Sequence, residues 1–121
     1  MDRVRFITHR ERKILFVDMS NCTAQEVIKT ADEVRRIVTA QGRESVFILS
    51  DLTGAQFSRA AVARLKEVAV FDRPYVLRSA LVGIESLPKV FYEALKTFSR
   101  REFPGFRTRE EAMDWLVGEQ P

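Results

Sequence analysis

Residues 45–61 read SVFILSDLTGAQFSRAA, and the order of their chemistry decides the fold. Four consecutive large apolar residues, Val46, Phe47, Ile48 and Leu49, suit a strand buried on both faces, because alternation with polar residues is needed only where one face meets water. Ser50-Asp51-Leu52-Thr53-Gly54 then supplies turn chemistry, and Ser58 is a good N-cap for a helix reaching to about Phe71. Phe57 and Val62 stand on either side of that cap at the positions of a hydrophobic staple. A buried strand leading through a polar turn into a helix is the unit of a parallel α/β sheet. Ligands and regulatory groups gather beyond the carboxyl ends of such strands.

Upstream, RVRFIT (3–8) and KILFVD (13–18) are two apolar-rich runs joined by a charged tip, which predicts a hairpin with His9 on an exposed turn. Thr23 with Glu26 forms a capping box, and Val27, Ala31, Val34 and Val38 then recur at helical spacing, with Ala24, Ile28 and Ile37 widening the stripe. Gly42 is the expected stop. Lys29, Asp32, Glu33, Arg35 and Arg36 fall on the other side, so this helix covers one face of a sheet.

Downstream, Ala61, Val62, Leu65, Val68 and Ala69 give the inner face of the second helix, which Asp72-Arg73-Pro74 breaks. YVLRSALV (75–82) is a further strand closed by Gly83. Ser86 is expected to open a third helix with Pro88 in its first turn and a stripe of Leu87, Val90, Phe91, Ala94, Leu95 and Phe98. Phe106-Arg107 reads as a short edge strand. Thr108 and Glu111 begin a last helix that ends at Gly118. The order is β-β-α-β-α-β-α-(β)-α, a small mixed and mainly parallel α/β sheet with right-handed crossovers, within one domain spanning residues 1–121.

The bulk composition fits that reading. At 121 residues the chain can bury a substantial core, and 45% hydrophobic with 31% charged residues is ordinary for a globular protein. The net charge of +3 is spread among mixed charges, without the dense basic face of a nucleic-acid binder. One cysteine, Cys22, and one histidine, His9, leave no internal disulfide and no cysteine or multi-histidine metal cluster. No apolar run approaches the ~20 residues of a membrane span and no signal-peptide core follows the initial Met-Asp-Arg, so a cytoplasmic protein is expected.

Four segments, KILFVDMS, ILSDLTGA, RPYVLRSALVG and TREEAMDWL, in this order across nearly the whole chain, resemble the SpoIIAA-like relatives of STAS domains, a bacterial group also described as STAS/SEC14-type. The resemblance implies a β-α superhelical fold and a regulatory or protein-interaction role rather than turnover. Phosphorylatable STAS antagonists carry an Asp-Ser-Ser-Gly type sequence where this chain has Gln56-Phe57-Ser58-Arg59-Ala60. Ser58 is the nearest equivalent, without the preceding Asp or the following Gly.

The candidate site is therefore the junction, with Asp51, Thr53, Gly54 and Ser58 joined by Asp18, which ends the other central strand. Ser58 reads as a cap, with a phosphosite as the sharper alternative, since phosphate would meet a helix N-terminus and Arg59. Asp18 and Asp51 read as turn residues; the alternative is a pair of carboxylates holding Mg²⁺ on a phosphorylated small molecule. Cys22 precedes a helix N-terminus, where a thiol can be activated, but it has no redox partner nearby in sequence. Thr53-Gly54 lacks the glycines and lysine of a P-loop, and no Gly-x-Ser-x-Gly elbow occurs. Phe91, Tyr92 and Phe98 read as core, or as an apolar pocket or self-association surface.

The expected function is a non-enzymatic module for an unknown protein partner, without cofactor or metal. The alternative is a carrier or sensor of an apolar, lipid-like molecule. Homodimerisation is compatible with either.

Overall fold

The structure, a computed structural model, describes residues 2–118. Strands β1 (Val4–His9), β2 (Arg12–Asp18), β3 (Val46–Asp51), β4 (Val76–Val82) and β5 (Gly105–Phe106) form one sheet in the order β1-β2-β3-β4-β5. Only β1 is antiparallel to its neighbour; the β2–β3, β3–β4 and β4–β5 pairings are parallel. Helices α1 (Ala24–Val38), α2 (Arg59–Asp72) and α3 (Lys89–Ser99) pack on one face, and α4 (Arg109–Val117) on the other. The mixed, mainly parallel α/β architecture read from the sequence is the one found.

The apolar run of β3 earns its central place. Val46 and Ile48 enter the core under α1 to α3, while Phe47 and Leu49 enter the core under α4. β2 divides in the same way, Leu15 and Val17 to one side and Ile14 and Phe16 to the other. The β1–β2 hairpin turns through Arg10 and Glu11, both at positive φ (49° and 66°), as a two-residue loop that matches strand twist requires.

His9 does not lie on the exposed turn expected for it. It ends β1, and its Nε2 sits 2.7 Å from Asp114 Oδ1 of α4, so a carboxylate on the covering helix draws the ring down onto the sheet. The β3–β4 register shifts at Val46/Phe47, leaving Leu77 as the extra residue, turned to solvent.

One nine-residue helix cannot cover a whole sheet face, and arginines complete the cover. The guanidinium carbons of Arg5 and Arg109 lie 5.0 and 4.6 Å from the centre of the Phe16 ring. Those of Arg12 and Arg78 lie 5.2 and 5.9 Å from that of Phe47. Long side chains can spread apolar stems over aromatic rings while their charged heads stay wet. Part of the chain's positive charge thus serves packing.

The third helix departs from expectation. A 3-10 turn over Ile84–Ser86 comes first, and α3 starts only at Lys89, with Pro88 as its cap residue, because proline disfavours helical geometry in the residue before it. Leu87 and Leu95 are buried, but Val90 and Phe98 of the expected inner stripe stand 69% and 56% exposed.

Candidate functional site: the rim at the carboxyl ends of β2 and β3

Asp18 and Asp51 end neighbouring strands and are paired with each other in the sheet register. Each carboxylate folds back onto its own turn. Asp18 Oδ1 accepts from Ser20 N at 3.0 Å and from the Ser20 hydroxyl; Asp51 Oδ1 accepts from Thr53 N at 2.9 Å and Thr53 Oγ1 at 2.7 Å. These are the two-residue-on bonds for which aspartate is favoured in turns. The strand ladder then continues past the strands: Met19 N donates to Asp51 O (2.9 Å), Asn21 N to Thr53 O (2.8 Å), and Leu52 N to Val82 O (2.7 Å).

Arg109, the first residue of α4, ties the two acids together. Its Nε donates to Asp51 Oδ2 at 2.8 Å, Nη2 lies 2.7 Å from the same oxygen as an ion pair, and Nη2 lies 3.9 Å from Asp18 Oδ1. Burial alone would raise the Asp51 carboxyl, but the bonds from Thr53, first its side chain and then its backbone, together with Arg109, outweigh it and hold the group below the usual aspartate range. The two carboxylates share a guanidinium already, and among the described residues no group of three or more His, Cys, Asp or Glu is placed to hold a metal ion.

Two glycines make the rim close. Gly54 (φ 71°) and Gly83 (φ 75°) both occupy the left-handed region. A Cβ on Gly54 would strike the Asn21 side chain; one on Gly83 would strike the backbone nitrogen and hydroxyl of Thr53. Gly54 N donates to Ser86 Oγ at 2.8 Å, so Ser86 braces the rim rather than capping a helix. Thr53, Gly54, Gln56, Arg59 and Ala60 are exposed above this frame, while Asp51, Leu52 and Ala55 are buried beneath it. Ser58 caps α2, its Oγ accepting from Ala61 N at 3.0 Å.

The structure thus brings Asp18, Asp51, Thr53 and Gly54 into one connected rim, with Ser58 at its far end. Sequence reasoning did not single out Arg109 or Asn21, and it gave Gly83 and Ser86 other roles. Nothing in a single sequence joins Arg109 to a partner 58 positions earlier. Cys22 is fully buried, and burial pushes its thiol up, the opposite of activation.

A second feature lies on the other side of the sheet. A cavity of about 80 Å³ sits between the sheet and α1, α2 and α3, walled by apolar side chains such as Leu65, Val68, Leu81, Leu95 and Phe103, with Asp72, Ser79 and Arg101 also lining it. Phe91, Tyr92 and Phe98 do not line this cavity. Phe91 and Tyr92 pack at the margin of the core, Tyr92 donating to Phe103 O at 2.7 Å, and Phe98 lies outside under Lys66. Leu95 of the expected stripe faces the core, while Val90, about 140° round the helix from it, faces away.

No protein-family model matches the chain, and no curated protein matches it. Among solved structures, it is similar to an uncharacterized protein of the DUF3478 family with a SpoIIAA-like fold, from Shewanella loihica PV-4. The match has 16% sequence identity and a TM-score of 0.71, and covers 94% of this chain and 92% of that one. Among the described residues, no helix is long and apolar enough to cross a membrane. A match of that quality over 94% of the chain shows that the fold of this protein is SpoIIAA-like.

Proposed function

We propose that the chain is a non-enzymatic regulatory or protein-interaction module that presents the turn from Asp51 to Ser58 to a protein partner. The observation that carries this reading is the contrast across the rim. Its outer residues, Thr53, Gly54, Gln56 and Arg59, are exposed, while the groups beneath them are bonded to one another. A surface already fixed in shape loses little conformational entropy on binding, which is what a recognition turn needs. The same bonds occupy both oxygens of Asp51, so the most buried acid of the rim is engaged in structure rather than held ready for proton transfer.

The test is co-purification of the tagged full chain from its native cells, wild type beside a Gln56→Glu/Arg59→Glu variant. These two side chains are exposed, so the variant keeps the fold. The expected result is one stoichiometric partner whose recovery falls about tenfold or more in the variant, as for loss of a contact near the centre of an interface. Equal recovery from both proteins, or no stoichiometric partner, overturns the reading. Peptide-level mass spectrometry of the same material tests phosphorylation of Ser58.

The lipid-carrier alternative draws no support from the cavity's size. About 80 Å³ is roughly half the ~150 Å³ of an engineered cavity that takes up benzene.

A further inference from the structure

Asp72 is the last residue of α2, where the partial negative charge of the helix end disfavours a carboxylate. It is 1% exposed, and among the described residues its Oδ1 has no hydrogen-bond partner. A buried carboxylate oxygen without a donor is costly, and native structures retain one only for a reason. The nearest cation does not supply the donor. Arg101 spends Nη1 on Ala69 O at 3.1 Å and Nη2 on the Ser79 hydroxyl, and its guanidinium lies over the Phe103 ring. Asp72 lines the apolar cavity, which is the space from which a donor can reach it.

We propose that the cavity beneath α2 and α3 is a binding site for a small apolar molecule with one hydrogen-bond-donating head, an alcohol or amine, whose head bonds Asp72 and whose alkyl body lies among Leu65, Val68, Leu81 and Leu95. A volume of about 80 Å³, against the ~150 Å³ that holds benzene, sets the size at about three or four non-hydrogen atoms. The geometry also supplies a way in. Ser79 and Arg101 line both the cavity and a depression on the outer surface beside Arg73, Leu77 and Trp115. Arg101 lies in the connection after α3 and, with Ser79, forms the wall shared by cavity and depression. This site is independent of the rim, which lies beyond the carboxyl ends of the strands.

The test is a ¹H–¹⁵N NMR titration of the full chain with 1-propanol, 1-propylamine and, as a shape control without a donor, 1-chloropropane. The expected result is shifts at Asp72, Ser79, Leu81 and Arg101 with the alcohol or amine binding about tenfold more tightly than the chloride, the usual scale for a hydrogen bond to a charged group. In Asp72→Leu that preference vanishes; if this variant does not fold, the wild-type comparison decides alone. Equal affinity for the three probes in the wild-type chain overturns the proposal. So does an absence of shifts at the cavity residues, which would assign the partner of Asp72 to trapped water.

Discussion

The guanidinium of Arg109 holds the carboxylate of Asp51 with a 2.8 Å hydrogen bond from Nε and an ion-pair contact of 2.7 Å from Nη2, joining the start of the last helix to the end of the central strand. Asp51 is buried and Arg109 half-exposed, so the pair forms the floor of the rim rather than a surface ion pair of little consequence. Everything exposed in the turn above it is positioned from this floor.

Removing the cation should therefore be felt in stability. Arg109→Ala is expected to cost about 1–3 kcal/mol in urea unfolding, because a buried acceptor loses charged donors. Arg109→Lys should fall between, since an ammonium keeps the charge but not the fixed Nε–H donor that bonds Asp51. Because the folded state holds the Asp51 carboxyl below its ordinary range, this contribution is present at neutral pH and is lost as the pH falls through and below that range. The stability–pH curve of Arg109→Ala should be flatter on its acid side than that of the wild type.

Asp72 has the opposite sign. Burial first, only partly offset by Arg101 and Arg35, pushes its carboxyl up from 3.8 to about 6. The folded state then binds a proton that the unfolded state has released, so this contribution is complete below about pH 4 and is lost as the pH rises through about 6. Asp72→Asn should match the wild type at pH 4 and exceed it by about 1–3 kcal/mol at pH 8, measured by urea unfolding at both pH values.

The two rim glycines should differ in a defined order. Both lie at positive φ, which costs any other residue about 1–2 kcal/mol. A Cβ at Gly83 meets the backbone of Thr53, which cannot yield without breaking the Asp51 turn; at Gly54 it meets mainly the side chain of Asn21, which can rotate. Thermal unfolding should therefore show Gly83→Ala clearly more destabilised than Gly54→Ala.

Ser58→Ala should lower stability by about 1 kcal/mol through loss of the α2 cap, whereas Ser58→Asp, which keeps an acceptor for Ala61 N, should be nearly neutral in the same denaturation measurement. A larger loss in Ser58→Asp would mean that the rim does not tolerate negative charge there.

How much of this could be read from the sequence follows from how local each cause is. The runs Val46–Leu49 and Ile14–Val17, the Thr23–Glu26 capping box and the Ser58 cap are local, and each stands where its chemistry placed it. Asp18 and Asp51 as strand-end turn residues were legible for the same reason. The Arg109 bridge, the His9–Asp114 contact and the brace from Ser86 to Gly54 join distant segments, and no spacing rule reaches across them. The α3 stripe is narrower than its apolar residues suggest: Val90 lies about 140° round the helix from buried Leu95, and Phe98 about 100° from buried Ser99, so both turn outward. Asp72 looked like part of a helix break; only the packing of α2 over the cavity shows it to be buried.

The central claim is that the exposed turn above Asp51 is the surface a partner recognises. Site-specific photocrosslinking in native cells, with the reactive side chain at Gln56 on the rim and at Arg43 on an exposed loop before β3 as control, tests it most directly. The expected result is one dominant crosslinked protein from position 56, absent from position 43 and lost in Arg109→Ala. The same crosslinking pattern from both positions, or none from position 56, would contradict it.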